Sequence, residues 1–416
     1  MPDQTAAITI RAATPDTFRA FLKPLEYAFG ELWGDAELEA ERHVAEIDRV
    51  IGAFDGDVAV GCSGAYTFRM TVPGGAEVGA AGVTLVGVSP THRRRGILRM
   101  MMLDLFEQAR DRGEPVAVLQ ASEAAIYQKF GYAIATFSTR FEAPKDKVVF
   151  SRPVEGLGQV RVVERDEAID LASTIYDARR PSINGALNRT DAKWRYHMLD
   201  DADWMRGANG HKIRAVLEVE GQARAYAIYR IKAEWDALGP KGVVFVLEVL
   251  GLGAAAEQAM WQWIFSLDLI GTVKAERGPV PLPLSLMVTE PRRLNMGLGD
   301  SMWLRIIDLK AALEARQYRG PGEIVLDVTD DFCPENAGRW RLTVDADGSG
   351  SVQPAAPSLV PDLALDIREL AATYLGTLRF GDLGLAGRVV ECRPGALADA
   401  DAMFGVSTAP FNGTPF

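Results

Sequence analysis

The stretch VTLVGVSPTHRRRGILRMMMLDLFEQAR, residues 83–110, decides the fold. Its first six residues form the continuous apolar run expected of a strand covered on both faces. From Leu98 onward, apolar side chains recur at Met101, Met102, Leu105, Phe106 and Ala109. Those steps of three and four lay one stripe along a helix that packs on a sheet. Between strand and helix lies the loop His92-Arg93-Arg94-Arg95-Gly96. A chain entering a helix there presents unpaired N–H groups and the positive end of the helix dipole. Gly96 lets the backbone approach a ligand, and the arginines add charge, so a pyrophosphate suits the loop. The pattern is neither a Walker loop nor a dinucleotide fingerprint. A solvated basic turn is the alternative reading of Arg93–Arg95.

Outward from this core, strand and helix patterns alternate. A strand is expected at 6–11, a helix start at Thr14-Pro15-Asp16 and a strand at 59–72. Beyond the central helix, Gly113 is the stop, 115–119 a buried strand, and 122–130 a short helix closed by Gly131. This order is an α/β layer fold. A weak repeat follows: 223–233, then VVFVLEV at 243–249, then a helix pattern at 254–267. Where the first copy has HRRRGIL the second has GLGAAAE, so it reads as a degenerate copy without the anion site. A third composition begins near Met302. It has a helix pattern at 304–315, strands at 323–328 and 339–344, a hairpin turn at Asp347-Gly348-Ser349-Gly350, and helices at 367–375 and 397–404. At roughly 150 residues per domain, 416 residues fit three domains. The expected boundaries are 1–150, 151–300 and 301–416, in a mixed α/β (α+β) chain.

Apolar residues at 48% and charged residues at 24% exclude a largely disordered chain. With 45 Lys+Arg against 56 Asp+Glu the net charge is −11, which disfavours nucleic acid and favours cationic partners. Cys62, Cys333 and Cys392 make no Cys-x-x-Cys pair, and the four histidines lack ligand spacing, so no metal is expected. There is no secretory pattern at the start and no long uncharged apolar run. The expectation is a cytoplasmic protein without membrane attachment. Asn188-Arg189-Thr190 and Asn412-Gly413-Thr414 match the glycosylation pattern, which is inert in that compartment.

The run Arg93-Arg94-Arg95-Gly96-Ile97-Leu98 resembles the coenzyme A loop of the GNAT superfamily of N-acetyltransferases, with Leu98 where the family has a small residue. THRRRGIL, then ASEAAIYQKFGYA at 121–133, LRIIDLKAALEARQY at 304–318 and the closing Phe416 together resemble the enhanced intracellular survival (Eis) family. The resemblance implies an active N-terminal GNAT domain, a degenerate central copy and a sterol-carrier-protein-like C-terminal domain. It also implies a homohexamer that transfers acetyl from acetyl-coenzyme A to amines, notably those of aminoglycosides and lysine side chains.

By the family pattern, Val86, Gly87 and Val88 pair with the pantetheine arm. Arg94, Arg95, Gly96, Ile97, Leu98 and Arg99 line the phosphates, and Ser122 and Glu123 complete the cofactor site. Tyr127 matches the family tyrosine that protonates the departing thiolate; a core phenol is its alternative reading. Tyr132 reads as packing. In the family the terminal carboxylate, here that of Phe416, is the proton acceptor, and an aromatic plug is the alternative. Glu31 and Trp33 pair an acid with an aromatic as a cation site requires, although two surface helix residues would look the same. His92 reads as a solvent-facing loop residue. The leading expectation is direct acetyl transfer to polycationic amines such as polyamines and aminoglycosides. A protein-lysine acetyltransferase and a non-catalytic carrier of apolar ligands are the rivals.

Overall fold

The computed structural model describes residues 8–206 and 209–416. The first expected strand is found at Thr9–Ala12, and residues 6 and 7 of that expectation lie outside the described part. The chain divides into two compact units. One comprises residues up to 135, 302–407 and Phe416, and the other comprises 136–301 and 408–415.

In the first unit a seven-stranded sheet runs in the order Thr9–Ala12, Ile51–Asp55, Val58–Thr71, Glu77–Val88, Val116–Gln120, Met302–Ile306, Ala133–Ile134. Helix Ile97–Asp111 packs its stripe on this sheet, burying Ile97, Met101, Met102, Leu105, Phe106 and Ala109. Gly113, at φ +68, follows the end of that helix as expected. The expected helix over 304–315 is corrected. Met302–Ile306 is a strand antiparallel to Val116–Gln120, and the helix is Leu309–Ala315. The reason is local: the Asp308 carboxylate accepts the N–H of Ala311 at 2.9 Å and caps the helix there. Ile306 and Ile307 ahead of it suit a strand.

The remainder of this unit is a five-stranded sheet, ordered Gly350–Pro354, Gly338–Val344, Gly322–Thr329, Leu363–Asp366, Val389–Glu391, with helices over it. The buried Arg316 guanidinium donates to the carbonyls of Tyr374 (2.5 Å) and Phe404 (2.9 Å), which end two helices. It lies 4.8 Å from the Tyr318 ring and 4.7 Å from that of Phe404.

The second unit has its own seven-stranded sheet, ordered Gly297–Asp300, Phe137–Pro144, Ile270–Ala275, Gly242–Gly251, Gln222–Lys232, Lys212–Val219, Gln159–Val162. Phe137–Pro144 therefore belongs to this sheet and Met302–Ile306 to the first, so sheet membership changes near 136 and again near 301. Helix Ala254–Ser266 packs on the second sheet through Met260, Trp261, Ile264 and Phe265. Among the described residues, no helix is long and apolar enough to cross a membrane.

Candidate active site

In the first sheet, Glu77–Val88 and Val116–Gln120 are parallel neighbours, yet they pair only where Ala80, Ala81 and Gly82 face Val116, Ala117 and Val118. Past Gly82 they part, and the backbone of 83–88 has no strand partner on that edge among the described residues. A bulge opens the same stretch. Cys62 pairs with Gly87 and Gly64 with Thr84, so one strand takes three steps where its neighbour takes two, and Leu85 stands at φ +55. The Cys62 thiol donates to the Leu85 carbonyl at 3.1 Å. Burial pushes that thiol up to about 12, so it is a neutral donor rather than a nucleophile.

The wedge leads directly to the helix start. Gly96 is the N-cap at φ +80, and the first helical bond runs from the Met100 N–H to the Gly96 carbonyl. The N–H groups of Ile97, Leu98 and Arg99 precede that bond and are the free donors of the helix end. A Cβ at Gly96 would meet nothing within 4 Å, so the backbone faces open space. Leu98 turns its side chain to the core cluster, which leaves its N–H toward the loop face despite its bulk.

The arginines of the loop differ in their surroundings. Arg95 donates to Asp55 at 3.3 Å, and His92 Nε2 lies 3.3 Å from the same carboxylate. His92 is thus half-buried against an acid, unlike the solvent-facing residue expected from the sequence. Arg94 is exposed at φ +64, and Arg99 stacks 4.7 Å over the Phe332 ring.

Helix Ala124–Tyr127 begins beyond the exposed Ser122 and Glu123. Tyr127 is 7% exposed, and its hydroxyl is hydrogen-bonded to the Ser122 side chain. Burial pushes the phenol up to about 12, with the Ser122 bond opposing and the Glu123 charge adding to the rise. Tyr132, fully buried, meets the Tyr127 ring edge-on at 5.9 Å.

Phe416 lies at the base of the wedge. Its ring is 5.2 Å from that of Phe68, and a Cβ at Gly82 would come 3.5 Å from it. Sequence reading missed Gly82 and Phe68; a glycine inside a strand, the usual mark of close approach, was the available signal. Gly82→Ala should lower the unfolding midpoint by an overpacking cost of about 1–3 kcal/mol, because its methyl overlaps the Phe68 ring. Adding Phe68→Leu should restore much of the loss. If the double variant were as unstable as the single, the crowding account would be wrong.

Glu31 and Trp33 occupy the loop after helix Lys23–Phe29, whose Leu25 packs on Gly87. Neither is helical. Glu31 is exposed, while Trp33 is half-buried against the cluster around Phe18 and Leu25 and donates its N–H to Glu26 at 3.2 Å. The buried Glu26, which also binds Lys23 at 2.6 Å, went unnoticed in the sequence. Among the described residues no group of three or more His, Cys, Asp or Glu could hold a metal ion.

The second sheet repeats the wedge. Gly242–Gly251 and Ile270–Ala275 pair in parallel from Gly242 to Val246 and then separate. Its helix, however, carries Glu257 in the first turn, and that carboxylate accepts the Gly251 N–H. The chain's own acid thus takes a backbone donor just ahead of the helix, although a Cβ at the N-cap Gly253, like one at Gly96, would meet nothing within 4 Å. Phe411 and Gly413 line the cavity beside the separated strands.

A parallel pair that splays at a bulge and feeds a helix N-terminus, present twice and followed by the five-stranded unit, defines a GNAT acetyltransferase. GNAT acetyltransferase domain models match residues 9–135 and 185–306, and a sterol carrier protein domain model matches 309–413. An uncharacterized N-acetyltransferase of Streptomyces avermitilis is 40% identical over 408 residues, 97% of this chain and 98% of that protein. N-acetyltransferase Eis of Mycobacterium tuberculosis is 32% identical over 412 residues, covering 95% and 96%. The crystal structure of Eis1 from Mycobacterium abscessus matches with a TM-score of 0.83 at 30% identity, covering 99% of this chain and 100% of that one. The chain belongs to the Eis family of N-acetyltransferases.

Proposed function

We propose that this N-acetyltransferase uses acetyl-coenzyme A and transfers the acetyl group directly to an amine of a polycationic small molecule, the aminoglycoside class above all. The observation that carries this reading is the wedge past Gly82, with its free strand edge, open helix start and buried phenol. Pantetheine amides can extend the ladder at Val86, Gly87 and Val88. The N–H groups after Gly96 suit the pyrophosphate, with Arg94, Arg95 and Arg99 at its rim and Ser122 and Glu123 at the far side.

When bound, the thioester supplies the acyl group, and a neutral amine attacks its carbonyl carbon. The C–N bond forms, the C–S bond breaks, and the departing sulfur needs a proton. Tyr127 holds one at Oη, since a phenol near 12 stays protonated throughout the neutral range. With Cys62 neutral and buried, direct attack needs no acyl-enzyme. We assign the Phe416 carboxylate to attraction of the ammonium group and acceptance of its proton, and Glu31 and Trp33 to the substrate side. The net charge of −11 favours a cationic acceptor over a neutral one. A cytoplasmic homohexamer is part of the same reading.

The test is mass detection of acetylated product with acetyl-coenzyme A and a panel of aminoglycosides, polyamines and lysine peptides. Acetylation of the first two classes is expected. Turnover confined to peptides would transfer the reading to protein lysines, and no product with any amine would overturn it. Within the phosphate site, Arg95 is already partly neutralised by Asp55 whereas Arg94 is exposed. Arg94→Ala should therefore weaken coenzyme A binding more than Arg95→Ala, by about threefold to tenfold at low salt, and the gap should shrink as salt rises. Calorimetry showing the opposite order would reassign the loop.

A further inference from the structure

The LRIIDL run places a charged side chain where the fold has no evident need of one. Arg305 lies in Met302–Ile306, between Val116–Gln120 and Ala133–Ile134, and its side chain is wholly buried. Nη2 donates to Asp330 Oδ2, but Nε and Nη1 have no hydrogen-bond partner among the described residues. A buried ion pair left partly unsatisfied is commonly no more stable than apolar side chains of the same volume. Stability therefore does not account for this arginine.

Its contacts do. The guanidinium lies directly under Gly131, where any Cβ would overlap Nη1 and where φ is +84. Gly131 ends the turn Gln128–Phe130, which follows Tyr127 without a break. The next residue, Tyr132, sets its ring edge-on to Tyr127 at 5.9 Å and 6.0 Å from Phe106, and Arg305 Cζ is 5.7 Å from that Phe106 ring. On its other side, Asp330 accepts the N–H groups of Phe332 (3.2 Å) and Cys333 (3.0 Å) and the Asn336 amide (3.1 Å). Phe332 then packs on Phe130 at 5.1 Å and on Phe106 at 5.5 Å. One ion pair ties the loop 330–336 to an arginine that in turn presses on the turn following the proposed acid.

We propose that Arg305 is a positioning residue for acetyl transfer. It supports the Gly131 turn, fixes Tyr132 against Tyr127 and so sets where the Tyr127 hydroxyl stands, with Asp330 making the C-terminal segment part of that support. The inference rests on Tyr127 being the proton donor.

The test uses the full chain. Arg305→Met keeps most of the volume and removes the charge; buried Asp330 then lacks its ionic partner, so a lower unfolding midpoint is part of the expected result. The variant should fold, keep the KM for acetyl-coenzyme A within about twofold, and lose about tenfold or more in kcat, the scale of a misplaced catalytic group. In a protein carrying 3-fluorotyrosine at position 127, Arg305→Met should move that fluorine resonance. Arg305→Met combined with Tyr127→Phe should be no slower than Tyr127→Phe alone, because both act through one hydroxyl. An unmoved resonance together with unchanged kcat would overturn the proposal. Should Tyr127→Phe retain full activity, the acid assignment fails, and the resonance still decides whether Arg305 positions residue 127. If Arg305→Met does not fold, Gly131→Ala, which presses on an intact guanidinium, takes its place with the same two readouts.

Discussion

Tyr127→Phe is expected to lower kcat about a hundredfold or more, the usual size of a lost general acid, while the Kd for coenzyme A stays within about twofold. The substitution removes one oxygen from a ring already packed against Tyr132, so the fold has little to lose. The oxygen itself bonds Ser122, which is exposed and can turn to water. Both features confine the effect to the chemical step. The pH dependence follows from the direction of the shift. Burial raises the phenol from its ordinary value near 10 to about 12, and the donor form is the protonated one. Tyr127 therefore contributes no falling limb to kcat between pH 8 and 10, whereas an unshifted phenol would begin to lose its proton there. Ser122→Ala removes the bond that lowers the phenol and should push any such limb still higher. Single-turnover rates with Tyr127→Phe near those of the parent chain, or a limb near pH 10 that disappears in that variant, would reject the donor role or the raised value respectively.

Much of this site was readable because it is built from contiguous sequence. The apolar run at 83–88, the glycine at 96 and the helical stripe beyond it obey local rules, and the structure puts them in one strand–loop–helix unit. Tyr127 and Ser122 are five residues apart and meet through one short turn. The parts that escaped notice depend on distant pairing. Nothing near Asp55 announces that it will neutralise Arg95 forty residues later, and Phe68 gives no sign that Phe416 will rest on it. The same holds for Met302–Ile306. Its residues satisfy a helical period as well as a strand, and the choice is made by pairing with Val116–Gln120, some 185 residues away, and by the Asp308 cap. Local signals specify elements, and long-range pairing selects among them.

Arg189→Ala should destabilise the second unit by about 3–5 kcal/mol, the cost of stripping one partner from a buried ion pair. The side chain of Arg189 has no exposure and pairs with Glu248 through two bonds, of 2.8 and 2.7 Å. Its Nε donates to Thr414 Oγ1 at 3.0 Å, and its guanidinium lies 3.9 Å from the Tyr176 ring and 4.7 Å from that of Trp194. Tyr226 donates to the same Glu248 carboxylate at 2.8 Å. Removal of the guanidinium leaves the acid with the Tyr226 hydroxyl and the attraction of Arg277, and Thr414 loses a charged partner. Two fragments that match a glycosylation pattern are thus the two halves of one buried contact, closed further by Asn412, which accepts the Thr414 N–H at 3.1 Å. Thr414→Val should cost less, about 1.5–3 kcal/mol, since it removes the hydrogen bond from the charged Arg189 and the one shared with the Tyr176 hydroxyl but leaves the ion pair in place. Glu248→Gln with Arg189→Met should recover only part of the loss, because Glu248 no longer stays buried as an anion without Arg189 but Arg277 loses the attraction of that carboxylate. Denaturant unfolding followed by tryptophan fluorescence gives the order, and carboxypeptidase digestion should release 408–416 faster from Arg189→Ala than from the parent chain. An unchanged midpoint and an unchanged digestion rate would mean that the segment is held by its apolar residues, Phe411 above all, and that the ion pair contributes nothing to holding it.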